Sequence, residues 1–313
     1  MRLDRSYSIE ELLSRVNYTD SYTGEQTCNI SGFCDDFFAI NEDLTWTENS
    51  SILNKLLSQQ SCLTIITNIK IDKIPENKNI IYCNNPLRLF EKIVDSVYIR
   101  QNRGVLIGPS SQIHDSVVIG KNVIIGDGCK IAPYVVIGDN VTIGNNVEIG
   151  SFSTLGNDPY YTLWDKEQRL RHREIYGSVI IGNNVHIGSY CSIDNGITIE
   201  TEIGDECKLG NYIEISHDVK IGNNCCICTQ SAISGLVSVG EKCIFWGRSG
   251  VTNRINIAPR TTILASSILT KSVLTEGQTL CGYPAIERSK YWRILAKVRD
   301  LRAGYEDITS KNK

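Results

Sequence analysis

The sequence predicts a mainly β fold: a parallel β-helix, preceded by a small α/β domain and followed by a helix. Three observations carry this expectation. From Ile107 an apolar residue, most often Ile, recurs every six positions in three runs, 107–155, 181–193 and 203–269, giving 24 hexads. Residues 1–104 lack that period and read as short helices and strands. After Leu269 the hexads stop and a basic, helix-like segment follows. Apolar residues make up 41% and charged residues 21% of the 313 positions, ordinary globular usage that excludes wholesale disorder.

Most hexads have the form Ile-Gly-x-x-(Val/Cys/Ser)-x, as in IGKNVI, IGDGCK and IGNNVE. Each reads as a short strand and a tight turn: the aliphatic residue points inward, Gly or Asn takes the positive φ of the turn, and the small residue fills the corner. One such unit cannot bury its apolar side alone, so coils must stack into a solenoid. Three hexads per coil predict about eight coils, roughly 38 Å of stack at ~4.8 Å per strand. The period alone does not set the hand.

The elements follow in order. Residues 1–104 form the small α/β domain, in which Ser8-Ile-Glu-Glu11 is a capping box opening a helix through Leu12 and Leu13. Apolar runs follow at 37–40, 63–69 and 79–83, and a second helix starts at Asn85-Pro86 with Leu87, Phe90, Ile93, Val94 and Val97 on one face. Residues 105–273 form the β-helix, interrupted by an extruded loop, 157–178, rich in aromatic and charged residues, among them Tyr160, Tyr161 and Trp164. A loop thrown out of a regular solenoid is a functional wall or a tolerated insertion, and its aromatics favour the wall. A second, short break follows SIDNG (192–196) and Asp194. Residues 274–313 are a C-terminal extension with Tyr291, Ile294, Leu295, Val298 and Leu301 on one helical face. Arg288, Lys290, Arg293, Lys297, Arg299 and Arg302 make that helix basic, a solvated face or a docking surface for an acidic partner.

Composition also removes function classes. Lys and Arg total 32 against 35 Asp and Glu, a net charge of −3, which is not the footprint of a general nucleic-acid binder. No run of 18 apolar residues occurs, so no membrane span is expected, and the charged N-terminus lacks the apolar stretch of a secretory signal. A cytoplasmic location is expected. Five of the twelve cysteines, Cys129, Cys191, Cys207, Cys225 and Cys243, share the small corner position of the hexad and read as buried, inert thiols. A lone CxxC at Cys225–Cys228, with no second pair, does not make a metal site, and none is expected.

The Ile-Gly-x-x-(Val/Cys/Ser)-x pattern resembles that of the hexapeptide-repeat acyltransferases, whose solenoid is a left-handed parallel β-helix. Domain order, the SIDNG segment, ISHDVKIG (215–222), TQSAISG ending at Gly235 and YPAIERSKYWR (283–293) resemble the N-acyltransferases of lipid A synthesis, which acylate UDP-3-O-acylglucosamine. That resemblance implies a homotrimer with active sites between subunits, and a donor thioester on the phosphopantetheine arm of acyl carrier protein. It implies no permanently bound cofactor and a uracil site in the N-terminal domain. Position by position, His217 matches the general base and Gly235 the glycine whose N–H faces the oxyanion. Trp46 matches the aromatic that stacks on uracil, Asn49 the amide that reads its edge, and Asn211 a retained asparagine near the base. Arg293 and Lys297 fall where the carrier would dock.

The sequence also departs from that family. Gly210 stands where it has Asp, Arg254 where it has a second His, and Asn195 where IDRG has Arg. His217-Asp218 and Asn157-Asp158-Pro-Tyr160 resemble instead the hexapeptide enzymes that acylate nucleotide-linked amino sugars for surface glycans. The mosaic implies N-acylation, with a 3-hydroxyacyl group, of such a sugar for surface polysaccharide or lipopolysaccharide. The donor is acyl carrier protein or a coenzyme A thioester, and lipid A synthesis proper is the alternative. Arg254, permanently charged, suits a phosphate. Of the four histidines only His217 lies deep in the solenoid beside a carboxylate, and the spacings of 58, 14 and 31 exclude the zinc-binding pair of hexapeptide carbonic anhydrases. A purely structural solenoid would need neither a nucleotide domain nor an aromatic loop.

Overall fold

A computed structural model describes residues 1–18, 22–23, 29–98, 103–164 and 168–310, with side chains at 22–23 and 301–310 left aside. Contacts divide the chain into two units. Met1–Arg103, Tyr160–Gly177 and Ile197–Ile199 form the first; Gly104–Pro159, Ser178–Gly196 and Glu200–Lys313 form the second. Tyr160–Gly177, most of the extruded loop, thus belongs to the unit of the N-terminal residues.

In the first unit six strands form one sheet: β1 (Arg2–Tyr7), β2 (Tyr22–Thr23), β3 (Ile30–Phe33), β4 (Asp43–Thr47), β5 (Leu63–Thr67) and β6 (Lys78–Tyr82), in the order β1-β3-β4-β5-β6-β2. The inner pairs β3–β4, β4–β5 and β5–β6 are parallel, as buried central strands demand. Helix α1 (Ile9–Arg15) is capped by the Ser8 hydroxyl, which accepts from the Glu11 N–H at 3.1 Å. Helix α2 (Ser50–Ser58) was not anticipated from the pattern; Asn49 caps it. Helix α3 (Pro86–Val97) begins at the expected proline, but Leu89 and not Leu87 enters the core.

The second unit is a parallel β-helix with three faces of mostly two-residue strands. The first face runs from Leu106–Ile107 to Asn256–Ile257 in eight strands, and the third from Val118–Ile119 to Ile268–Leu269 in eight. The second starts at Gln112–Ile113 and extends beyond Thr262–Ile263 to Thr279–Cys281. Inward residues stack in register, as Ile125 on Ile143 and Ile131 on Ile149. Both interruptions leave the register intact, Ile143 pairing with Ile181 and Ile193 with Ile215. The core is the resulting column of buried Ile, Val, Leu and Cys.

One expectation about the hexad is corrected. The Gly after the aliphatic residue does not supply the positive φ. A Cβ on Gly120 would lie 2.4 Å from Asp139 Oδ1 and 2.8 Å from Asp139 N, so the next coil's close approach demands glycine. The left-handed residue comes two positions later, at Asn122 (φ 57°), Asn140 (φ 63°) and also at bulky side chains. Tyr134, Phe152, Tyr190 and Tyr212 all take it, and their rings stack with centroids 5.1, 5.0 and 5.1 Å apart. Each such backbone costs on the order of 1–2 kcal/mol, and a stacked pair returns ~0.5–1.5 kcal/mol, so the ladder offsets much of its own strain.

The corner cysteines are free and buried. Each thiol donates to a carbonyl of the next coil: Cys207 to Gly222 O and Cys225 to Gly240 O, both at 3.2 Å. Ser111 and Ser153 do the same at 2.7 Å to Gly126 O and Gly188 O, which explains why Ser and Cys alternate there. The chain ends in α4 (Arg288–Ser310), where Trp292, Ile294, Leu295 and Val298 are exposed. The side chains of Leu301 and Arg302 lie outside the described residues. No helix among the described residues is long and apolar enough to cross a membrane.

Candidate active site

The corner that follows the third face carries the clearest chemistry. Ile215 points into the core; His217 comes two residues on, at the turn. Its ring is nearly enclosed (6% exposed), and Nδ1 lies 2.7 Å from Oδ2 of the fully buried Asp218. Adjacent side chains meet here because Asp218 is left-handed (φ 55°), and its N–H is held by Thr201 Oγ1 at 3.0 Å. With Nδ1 committed to the carboxylate, Nε2 is the nitrogen on the side of Gly235.

One coil further on, at the equivalent position, stands Gly235. A Cβ there would fall 2.3 Å from His217 Nε2 and 2.4 Å from Cε1, so only glycine fits beside the ring. The Gly235 N–H donates to no acceptor among the described residues. Its carbonyl accepts from the N–H of Arg254, which lies on the same corner two coils from Asp218, roughly 10 Å away at ~4.8 Å per coil.

Asp194 lies on the outer side of the third face one coil before, 6% exposed. Burial and the Glu214 carboxylate push it up to about 7, against the pull of His217 and a hydrogen bond from Ser216. Glu214 is itself raised by burial, and Ser192 hydrogen-bonds it. Sequence reasoning missed Glu214; its outward position opposite Ser192 follows from the register alone. Asn195 donates to Gly156 O at 3.0 Å. Asn211 sits on the other corner of the third face, where its Oδ1 accepts from the Ser189 N–H at 2.8 Å. Gly210 has no room for a carboxylate, since a Cβ would lie 2.8 Å from Thr229 N.

Trp46, Asn49 and Tyr160 fall in the first unit. Trp46, on β4, borders a cleft of about 760 Å³ lined also by Leu87, Arg88, Glu91, Trp164 and Arg173. Its indole N–H donates to Asp35 Oδ1 at 3.0 Å. Asn49 Oδ1 is engaged in capping α2, accepting from the N–H groups of Ser51 and Ile52 at 2.9 and 3.2 Å. Tyr160 is 84% exposed, its ring edge-on to His172. Arg173, which sequence reading passed over within a charged loop, is buried (5% exposed) and paired with Asp35. In the second unit Arg293 is exposed on α4 and bonds back to Ser289 O at 3.3 Å, and Lys297 lies exposed one turn on.

The family comparison agrees with the hexapeptide repeats of the second unit. The family model for the bacterial transferase hexapeptide (six repeats) matches residues 102–132, 122–157 and 200–235. No curated protein sequence matches the chain. Among solved structures, it is similar to UDP-N-acetylglucosamine O-acyltransferase from Moraxella catarrhalis at 26% identity, covering 59% of this chain and 72% of that one, with a TM-score of 0.49. The UDP-N-acetylglucosamine acyltransferase of Francisella novicida gives 26% identity, 57% and 66% coverage and a TM-score of 0.48. The Arabidopsis enzyme of the same name gives 24%, 64% and 82%, and 0.45. The last of the three matched stretches, residues 200–235, spans both His217 and Gly235.

Proposed function

We propose that the protein is an N-acyltransferase that moves an acyl group, a 3-hydroxyacyl group in the fullest reading, from a phosphopantetheine thioester to the amine of a nucleotide-linked amino sugar. The observation that carries this is the trio on one corner: Asp218 fixing His217 Nδ1, and Nε2 lying against a glycine whose N–H donates to no acceptor among the described residues. Thioester aminolysis needs a base for the amine proton and a donor for the oxyanion. The sugar nitrogen attacks the thioester carbon, and His217 Nε2 takes the proton it sheds. The Gly235 N–H steadies the carbonyl oxygen as it gains charge. When the C–S bond breaks, the imidazolium returns the proton to the leaving sulfur.

The same reading assigns Trp46 and its cleft to the nucleotide and Arg254 to a phosphate. It gives Arg293 and Lys297 on exposed α4 to acyl carrier protein, and takes the working form as a homotrimer. Purified protein offered a panel of nucleotide amino sugars with carrier-bound and coenzyme A thioesters should yield an amide, detected by mass spectrometry. Absence of transfer across the panel would refute the reading. Selective acylation of UDP-3-O-acylglucosamine would return the enzyme to lipid A synthesis proper.

A further inference from the structure

Arg173 is an odd residue to bury. Its side chain is 1% exposed, and Nη1 donates to both oxygens of Asp35, at 3.0 and 2.8 Å. Nε and Nη2 have no hydrogen-bond partner among the described residues; Glu91 Oε1 stands 3.7 Å from Nε, beyond hydrogen-bond range. A buried ion pair with unmet donors is poor value for stability, since apolar residues of similar volume often do as well or better. Its geometry points to another purpose.

The guanidinium lies over two rings, with Cζ 5.4 Å from the Trp46 centroid and 5.6 Å from that of Tyr161. Asp35 accepts from Arg173 and, through Oδ1, from the Trp46 indole N–H as well. Asp35 is anchored in turn, its own N–H donating to Thr198 Oγ1 at 3.0 Å. The indole is therefore held at its N–H by Asp35 and against a cationic plate within cation–π range. Trp46, Arg173, Leu163 and Trp164 all border the same cleft, so the loop that brings Arg173 also builds its wall.

We infer that Arg173 is the positioning residue of the nucleotide cleft: through Asp35 and its own cation over the indole it fixes Trp46 in the orientation that meets a nucleoside phosphate. The inference rests on the assignment of that cleft to the nucleotide, and the test separates the two. Affinity for uridine 5′-monophosphate is measured by calorimetry on full-length wild type, Trp46→Ala, Arg173→Met and Arg173→Lys. Lysine keeps a charge for Asp35 but loses the planar plate over the indole. Both Arg173 variants should bind roughly tenfold or more weakly. In turnover they should raise KM for the nucleotide sugar and leave kcat and the donor KM unchanged, a split that general loosening of the fold would not give.

If Trp46→Ala binds like wild type, the nucleotide assignment fails. If Trp46→Ala weakens binding and folded Arg173→Lys does not, the positioning role fails while the cleft stands. Should the Arg173 variants not fold, wild type decides. The Trp46 indole N–H resonance, assigned with Trp46→Phe, must shift on adding uridine 5′-monophosphate, and an unmoved resonance overturns the inference.

Discussion

Replacing Gly235 by alanine tests the catalytic corner with a single methyl group. The added carbon would sit 2.3 Å from His217 Nε2, where ordinary contact begins near 3.4 Å, so the ring must retreat by about 1 Å. The imidazole cannot swing freely, because Nδ1 is tied to buried Asp218 at 2.7 Å. Either that bond stretches, forfeiting part of the ~1.5–3 kcal/mol of a hydrogen bond to a charged group, or the ring stays and the turn at 235 shifts. Both routes misplace Nε2 relative to the Gly235 N–H, and a misplacement of this size costs about 10²-fold. Gly235→Ala should therefore lose about 10²-fold in kcat in the thioester assay while the coils keep their cooperative unfolding. Activity within threefold of wild type would mean that the ring and the glycine do not act as a pair.

Further expectations follow from the same geometry. Asp218→Asn should lower kcat by about 10²-fold or more, because an amide can hold imidazole in the wrong tautomer; steady-state kinetics check it. Asp194 rises from 3.8 to about 7, so the folded state keeps a proton that the unfolded chain releases. Its stabilisation is complete below about pH 4 and lost as pH rises through about 7, on the order of 2–4 kcal/mol. Asp194→Asn should flatten that limb in urea unfolding compared at about pH 5 and about pH 8; an unchanged limb contradicts the assignment. Arg293→Glu with Lys297→Glu should raise KM for a carrier-bound donor, most at low salt, and leave a coenzyme A thioester unaffected. An equal response of both donors removes α4 from docking.

The solenoid was legible because its signal is redundant: an inward Ile that recurs every six residues survives two insertions without losing register. The reason for each glycine was not, because closeness to Asp139 or Thr229 is a contact 19 residues away, invisible to a local turn rule. The aromatic ladder escaped for a related reason. Phe152 and Tyr190 are neighbours in space but separated by the loop in sequence. His217 and Gly235 were found by resemblance, and the register then explains their meeting, since they occupy equivalent turn positions in successive coils. Arg173 and Glu214 were missed because a charged residue in a charged loop, or on an outward strand position, carries no mark of what it faces once folded. In α3 a helix-face pattern admitted Leu87, yet the burial of Leu89 turned Leu87 toward the cleft.

The central claim is that His217 is the base of an amide-forming acyl transfer, and His217→Ala measures it most directly. With a nucleotide amino sugar and a thioester donor, wild type should form the amide at a rate that depends on His217 as the base. The variant should lose 10²–10⁴-fold in kcat and bind nucleotide as tightly as wild type. A His217→Ala protein that keeps more than about a tenth of wild-type kcat would contradict the account, because the amine would then be attacking unassisted or another group would be its base.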